Sequence, residues 1–304
     1  MSGKYPSIDS GLFSSPGDII LLPLMGYPAE RDAIFLALVT ADCFGANLKV
    51  LHFVNKSSRT ENYFFKKQLV WLNEEAKKLQ VPVETIIKEP LRNVPLKHAI
   101  VDEIKALAPK LTVMMSRRKG LLQRFTGSIA EHVARASPYS VMIIRSPVRD
   151  WVTYSSRFSP RKIVVPMGRP DPYELSAVQI AIALAKVTEA PHAEITLLHV
   201  IVVPETVPIL SDDNQLIISE EKEFIKLAGQ YSIHLLYPMN TKVIVGRDVG
   251  RSVSQYINKE HADIVIMGVS YVPRRFFGLF GTDTNTIYNK SKSPVAVIFH
   301  KDIC

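Results

Sequence analysis

The sequence predicts an α/β protein made of two tandem copies of one unit, each copy built on a small parallel sheet. Three observations carry this reading. Short β-branched runs alternate along the chain with longer stretches of 3.6-residue periodicity, which implies right-handed strand–helix–strand crossovers and hence parallel strands. The strand runs are continuously apolar instead of alternating, as in a sheet covered by helices on both faces. The same order of elements then occurs twice within 304 residues, a length that suits two domains of about 150 residues each.

In the first half, strands are expected at Ile19–Leu24, Leu48–Val54, Val83–Lys88, Leu111–Met115 and Val141–Arg145. Helices fall between them at Ala29–Phe44, Asn62–Leu79, Leu96–Leu107 and Ser128–Ala136. Residues 147–160, rich in serine, proline and charge, read as a linker after a domain over 18–146 and a tail over 1–17. The second domain, 161–304, has expected strands at Lys162–Pro166, Ile195–Val203, Lys242–Val245, Ile264–Met267 and Val295–His300. Its helices lie near Tyr173–Thr188, Asn214–Tyr231, Arg251–Lys259 and Thr282–Asn289, with a surface loop over Val203–Asp213. The repeat also shows in offsets. Pro166 stands 143 positions after Pro23, His199 stands 147 after His52, and both Gly281 and Val295 stand 154 after Gly127 and Val141. The offset grows through loop insertions and holds constant across the last helix and strand, which a chance alignment does not do.

Composition excludes several classes. Hydrophobic residues make up 47% and charged residues 22%, enough apolar material for a packed core. Two cysteines, Cys43 and Cys304, form neither a disulfide framework nor a metal spacing and favour a reducing compartment. The first residues carry no apolar signal core, and the best apolar run, Ile34–Ala46, is interrupted by Asp42. No membrane span and a cytoplasmic location are therefore expected. The net charge of +8 is compatible with anionic ligands but speaks chiefly to solubility and encounter. Nucleic-acid binding has only that charge in its favour, without stacking or groove-entering motifs.

Ligands of open α/β sheets sit beyond the carboxyl ends of the strands, where the winding direction reverses. In the second half these positions are Val165-Pro166-Met167-Gly168 and the segment 266–282. Gly268 lets backbone approach a ligand. Gly281-Thr282 opens a helix whose first N–H groups point outward and suit an anion, and the Thr282 hydroxyl can cap the helix or bond a phosphate oxygen. No P-loop, nucleophile elbow or metal-binding His/Cys cluster occurs, so no catalytic residues are assigned and an enzyme is not expected.

These residues resemble the universal stress protein family, whose members carry a Gly-x2-Gly-x9-Gly-Ser/Thr run after the fourth strand. The likeness covers both halves, including Leu198-His199-Val200 at the end of the second strand and Ser293-Pro294-Val295 at the start of the last. It implies two Rossmann-like domains of the adenine nucleotide alpha hydrolase-like kind, each a five-stranded mostly parallel sheet with strand order 3-2-1-4-5. It further implies that the ATP-binding branch holds phosphates on the glycine run. Carried over, the first glycine is Gly268, the second position is Tyr271, and the last pair is Gly281-Thr282 followed by Asp283. Nucleoside contacts would come from Pro166, Met167, Val200 and Met267. Gly168 stands where relatives place an acidic residue. In the first half, Ser116 and Lys119 replace the glycines, Met25 replaces the acid, and only Gly127-Ser128 survives. Arg117, Arg118, Lys119 and Arg124 make that loop cationic, and Arg274 and Arg275 do the same in the second; guanidinium groups can compensate for missing backbone contacts to phosphate.

The plainer readings differ by residue. Gly127-Ser128 and Gly281-Thr282 can be simple helix caps, Tyr271 a surface aromatic, and Met114, Met115 and Met267 core residues. His52 and His199 end buried strands and are expected to be core histidines. The resemblance implies a regulatory stress-response protein that binds ATP, AMP or another adenine nucleotide mainly in the second domain, with Mg2+ only beside a triphosphate. It also implies pairing of the two domains through their last strands, with a homodimer open. The alternative is a nucleotide-independent interaction or scaffold module, such as a transporter regulator, with its protein partner unidentified.

Overall fold

The computed structural model describes residues 17–27, 30–55, 58–90, 93–116, 129–146, 160–168, 172–187, 193–206, 215–270 and 281–301. Its first half alternates β1 (Ile19–Leu24), α1 (Arg31–Phe44), β2 (Asn47–Phe53), α2 (Arg59–Leu79), β3 (Val83–Lys88), α3 (Leu96–Leu107), β4 (Leu111–Ser116), α4 (Ile129–Ala136) and β5 (Ser140–Arg145). The second half repeats the pattern with β6 (Lys162–Pro166), α5 (Pro172–Val187), β7 (Glu194–Val202), α6 (Gln215–His234), β8 (Asn240–Gly246), α7 (Val249–Glu260), β9 (Ile264–Ser270), α8 (Thr282–Lys290) and β10 (Val295–His300). The predicted α/β alternation is present in both halves. The bounds of β1, β3, α3, β6 and β10 coincide with those read from sequence. Helix α2 starts three residues earlier than its apolar periodicity, because Ser58 caps it by accepting from the Glu61 amide at 3.2 Å.

The chain packs as two compact units. In one, β3, β2, β1, β4 and β5 lie side by side in that order, with β10 next to β5. This is the expected pairing of the two last strands, and the Lys301 amide donates to Ser140 Oγ at 3.3 Å across it. In the other unit the order is β9, β6, β7, β8, and Val265 N donates to Pro294 O at 2.9 Å where the chain enters β10. The β1–β2, β2–β3, β1–β4, β4–β5, β6–β7, β7–β8 and β6–β9 pairs are all parallel. The central strands are buried along nearly their whole length; Leu111–Met114, Val141–Ile144 and Val295–Phe299 are at most 3% exposed, as a doubly covered sheet requires. Among the described residues no helix is long and apolar enough to cross a membrane. The linker 147–160 lies outside the described residues except for Pro160.

One acid in this core is held against its preference. Asp32, in the first turn of α1, is 7% exposed and accepts from the Ser146 hydroxyl. Burial pushes its carboxyl above the usual range, and Ser146 and Arg31 only partly offset this. A folded-state value raised above the unfolded one gives a contribution that is complete below the ordinary carboxylate range and lost as pH rises through the raised value. Asp32→Asn, which keeps an acceptor for Ser146, is therefore expected to raise the melting temperature at neutral pH by about 2–4 °C, the effect of ~1 kcal/mol in a chain of this size. The gain should shrink as pH is lowered below the carboxylate range, which melting curves of both proteins across pH will show.

Candidate functional site

In each half the innermost strand pair separates early. The β6–β9 ladder runs over Ile163↔Ile264 and Val164↔Val265, and the β1–β4 ladder over Ile20↔Leu111 and Leu21↔Thr112. The flanking β6–β7 ladder instead continues to Pro166↔Leu198, and Met167 N extends it by donating to Leu198 O at 2.8 Å. Each sheet thus opens at its carboxyl end where the winding direction reverses, the place where such sheets bind ligands.

The second half brings several sequence-predicted residues to this opening. Pro166 ends β6, and Met167 follows it and is buried. Two residues past the last β9 rung, Met267 is buried and Gly268 half-buried. Val200, also buried, lies near the end of β7, opposite Ile244 of β8. Met267 is a core residue, as expected, and Met167 is buried as well. His199 Nδ1 lies 3.0 Å from Met167 O, and its ring stacks on Phe224. His52 repeats the arrangement, 2.9 Å from Leu24 O and stacked on Phe65 with ring centroids 3.7 Å apart. Both histidines are buried, so they are core groups that fix the loop after the first strand.

Gly281 caps α8 with no side-chain hydrogen bond, at φ −59° and ψ 165°, and a Cβ there would meet nothing within 4 Å among the described residues. Gly281, Thr282 and Asp283 are all exposed. Because Asn285 N already bonds Gly281 O at 2.9 Å, the outward amides are those of the first turn. A carboxylate at Asp283 would repel a phosphate if it faced one. Its side chain instead turns to the neighbouring helix and accepts from Gly250 N at 3.3 Å, in the first turn of α7, where the helix dipole favours an anion. Thr282 O accepts from the Thr286 hydroxyl at 2.8 Å.

Sequence reasoning missed three residues that shape this end of the unit. Gly246 closes β8 so tightly that a Cβ would stand 3.0 Å from Ser252 Cβ and 3.6 Å from Val200 Cγ1. Gly250 lets α7 lie against α8; its Cβ would stand 2.7 Å from Thr286 Cβ and 2.9 Å from Asp283 O. The signal was a glycine just after an apolar strand and another just inside a helix. The third is Glu174, whose carboxylate accepts from Gly168 N at 2.7 Å. The acid absent from the position of Gly168 is thus supplied from the first turn of α5. In the first half Glu30 does the same, accepting from Met25 N and Tyr27 N, each at 2.8 Å.

Ser116 ends β4, is buried, and lies opposite Arg145. Tyr271, Gly127, Ser128 and the cationic residues 117–119, 124, 274 and 275 lie outside the described residues. Among the described residues no group of three His, Cys, Asp or Glu side chains could hold a metal ion.

Among curated proteins no sequence matches this chain. Solved structures share its fold over nearly the full length. One is a protein of unknown function from Pseudomonas aeruginosa PAO1, 15% identical, with 94% of each chain covered and a TM-score of 0.60. Another is a universal stress protein from Archaeoglobus fulgidus DSM 4304, 17% identical, with 96% of this chain and 99% of that one covered and a TM-score of 0.53. The universal stress protein family model matches twice, over residues 18–145 and 160–298. With two such domains in tandem, the chain belongs to the universal stress protein family.

Proposed function

We propose that the second unit binds an adenine nucleotide and that the chain acts as a regulator in stress response, with no chemistry of its own. The observation that supports this best is the start of α8 at Gly281, which has no side-chain cap and where a Cβ would meet no other described residue within 4 Å, on the end of the unit where β6 and β9 separate. First-turn amides there suit phosphate oxygens, and Met167 and Met267 offer an apolar wall to a purine. Charge orients the ligand. Glu174 stands beside Gly168 and repels phosphate, so the base belongs near the end of β6 and the phosphates near α8. Mg2+ would accompany a triphosphate only.

The first unit favours the second reading, an interaction module. Its corresponding loop is closed on both amides by Glu30, which leaves less backbone to offer a ligand.

ATP is expected to raise the melting temperature, by about 2–4 °C for each ~1 kcal/mol of binding linkage. Gly281→Val should abolish the rise while leaving the unliganded melting temperature nearly unchanged, since the first added carbon meets no described residue within 4 Å. If no adenine nucleotide shifts the melting curve at several millimolar, the nucleotide reading is lost and the module reading stands.

A further inference from the structure

We infer that β3 is a self-association edge, on which a second copy of this chain adds its own β3 antiparallel about a two-fold axis through Ile86. Among the described residues, β3 is the end strand of its sheet and has β2 as its only neighbour. Leu48 N donates to Pro82 O and Val54 N to Lys88 O, each at 2.9 Å. In a parallel ladder this turns the even-numbered residues of β3 towards β2. The amides and carbonyls of Val83, Thr85 and Ile87 therefore face away from the sheet, and such an unpaired row is a template for another strand. Ile87 is 57% exposed.

The side chains select the partner and the register. When two β3 strands run antiparallel with Ile86 opposite Ile86, Thr85 and Ile87 of opposite copies form the hydrogen-bonded pairs. Glu84 then stands directly opposite Lys88 on both sides of the axis. These are non-hydrogen-bonded pairs, in which side chains approach most closely. Moving the axis to Glu84 sets like charges face to face, and moving it to Thr85 sets Glu84 against Ile86. Glu84 and Lys88 already pair with Lys49 at 2.8 Å and Glu103 at 2.5 Å, yet remain 60% and 45% exposed, so each can take a second partner. The far edge of the other unit does not offer this match. Strand β8 carries Lys242 as its only charged residue, and no register of β8 against itself brings opposite charges together. An isologous pairing of β3 also closes on itself as a dimer, where a head-to-tail contact would propagate.

The test is light scattering on the size-separated full chain at tens of micromolar. The expected result is a concentration-dependent dimer of twice the 34.1 kDa chain mass. Thr85→Pro removes an amide that β2 does not use, which edge strands tolerate, and should weaken the dimer at least tenfold. Glu84→Lys should do the same by opposing like charges. The double exchange Glu84→Lys with Lys88→Glu should restore dimerisation although the internal pairs to Lys49 and Glu103 stay broken. A wild-type monomer throughout the range overturns the inference, as does a dimer indifferent to these changes or a double exchange that fails to rescue. The nucleotide reading concerns the other unit and survives any of these outcomes.

Discussion

Gly26→Ala should destabilise the first unit by about 2–5 kcal/mol, the largest single-residue effect expected outside the core apolar set. Two causes combine. Gly26 has φ +78°, a conformation open to glycine that costs an L-residue about 1–2 kcal/mol. A Cβ there would also press on the Glu61 carbonyl, standing 2.8 Å from its carbon and 3.1 Å from Glu61 Cα. Those atoms belong to the first turn of α2, whose start is fixed by Ser58 and by the 2.7 Å bond from Asn55 Nδ2 to Glu61 Oε2. The helix cannot retreat without losing that cap. The alanine gains only about 0.4–1 kcal/mol from a less flexible unfolded chain. Chemical denaturation should show a lower midpoint with an unchanged slope. A midpoint equal to wild type would mean that α2 yields easily.

Gly250→Ala is expected to act on stability and on ligand binding together. The added methyl meets backbone, with Asp283 O at 2.9 Å and Asp283 Cα at 3.0 Å, as well as Thr286 Cβ at 2.7 Å. Overpacking of this kind costs about 1–3 kcal/mol, and up to about 1 kcal/mol returns through helix propensity. The net loss should be about 1–2 kcal/mol, a fall of roughly 2–8 °C in melting temperature. The strain is relieved by moving α8 away from α7, which also lengthens the Gly250 N–Asp283 contact and shifts the first turn that faces the proposed phosphate. Nucleotide affinity should then fall at least tenfold, although Gly250 itself is buried between the helices. Gly281→Val, in contrast, should lose affinity without losing stability. The two variants together separate damage to the site from damage to its support.

Most of the architecture was legible in the sequence because burial on both faces makes each strand an unbroken apolar run. The pairing of β10 with β5 was implied by the family resemblance, and its physical motive is the cover it gives to a last apolar strand. Less legible was what happens between elements that are distant in sequence. The turn of Asp283 onto Gly250 joins α8 to α7 across 33 positions, and no local pattern announces it. The carboxylates of Glu30 and Glu174 reach back over five and six positions to amides of the preceding loops. A search for an acid directly after the strand therefore passes over them. The opening between β6 and β9 follows from topology, and Met167 and Met267 beside it read in sequence both as core and as nucleoside contacts. The outward face of β3 needed the hydrogen-bond phase of the ladder, since Val83 and Glu84 look equally plausible as edge groups until Pro82 O is seen to face β2.

Calorimetric titration of AMP, ADP and ATP into the intact chain tests most directly whether the start of α8 is a phosphate site. The account predicts one molar equivalent per chain, affinity that strengthens with added phosphates, and loss of the heat in Gly281→Val. Two equivalents per chain, an affinity indifferent to phosphate number, or a Gly281→Val titration equal to wild type would contradict it.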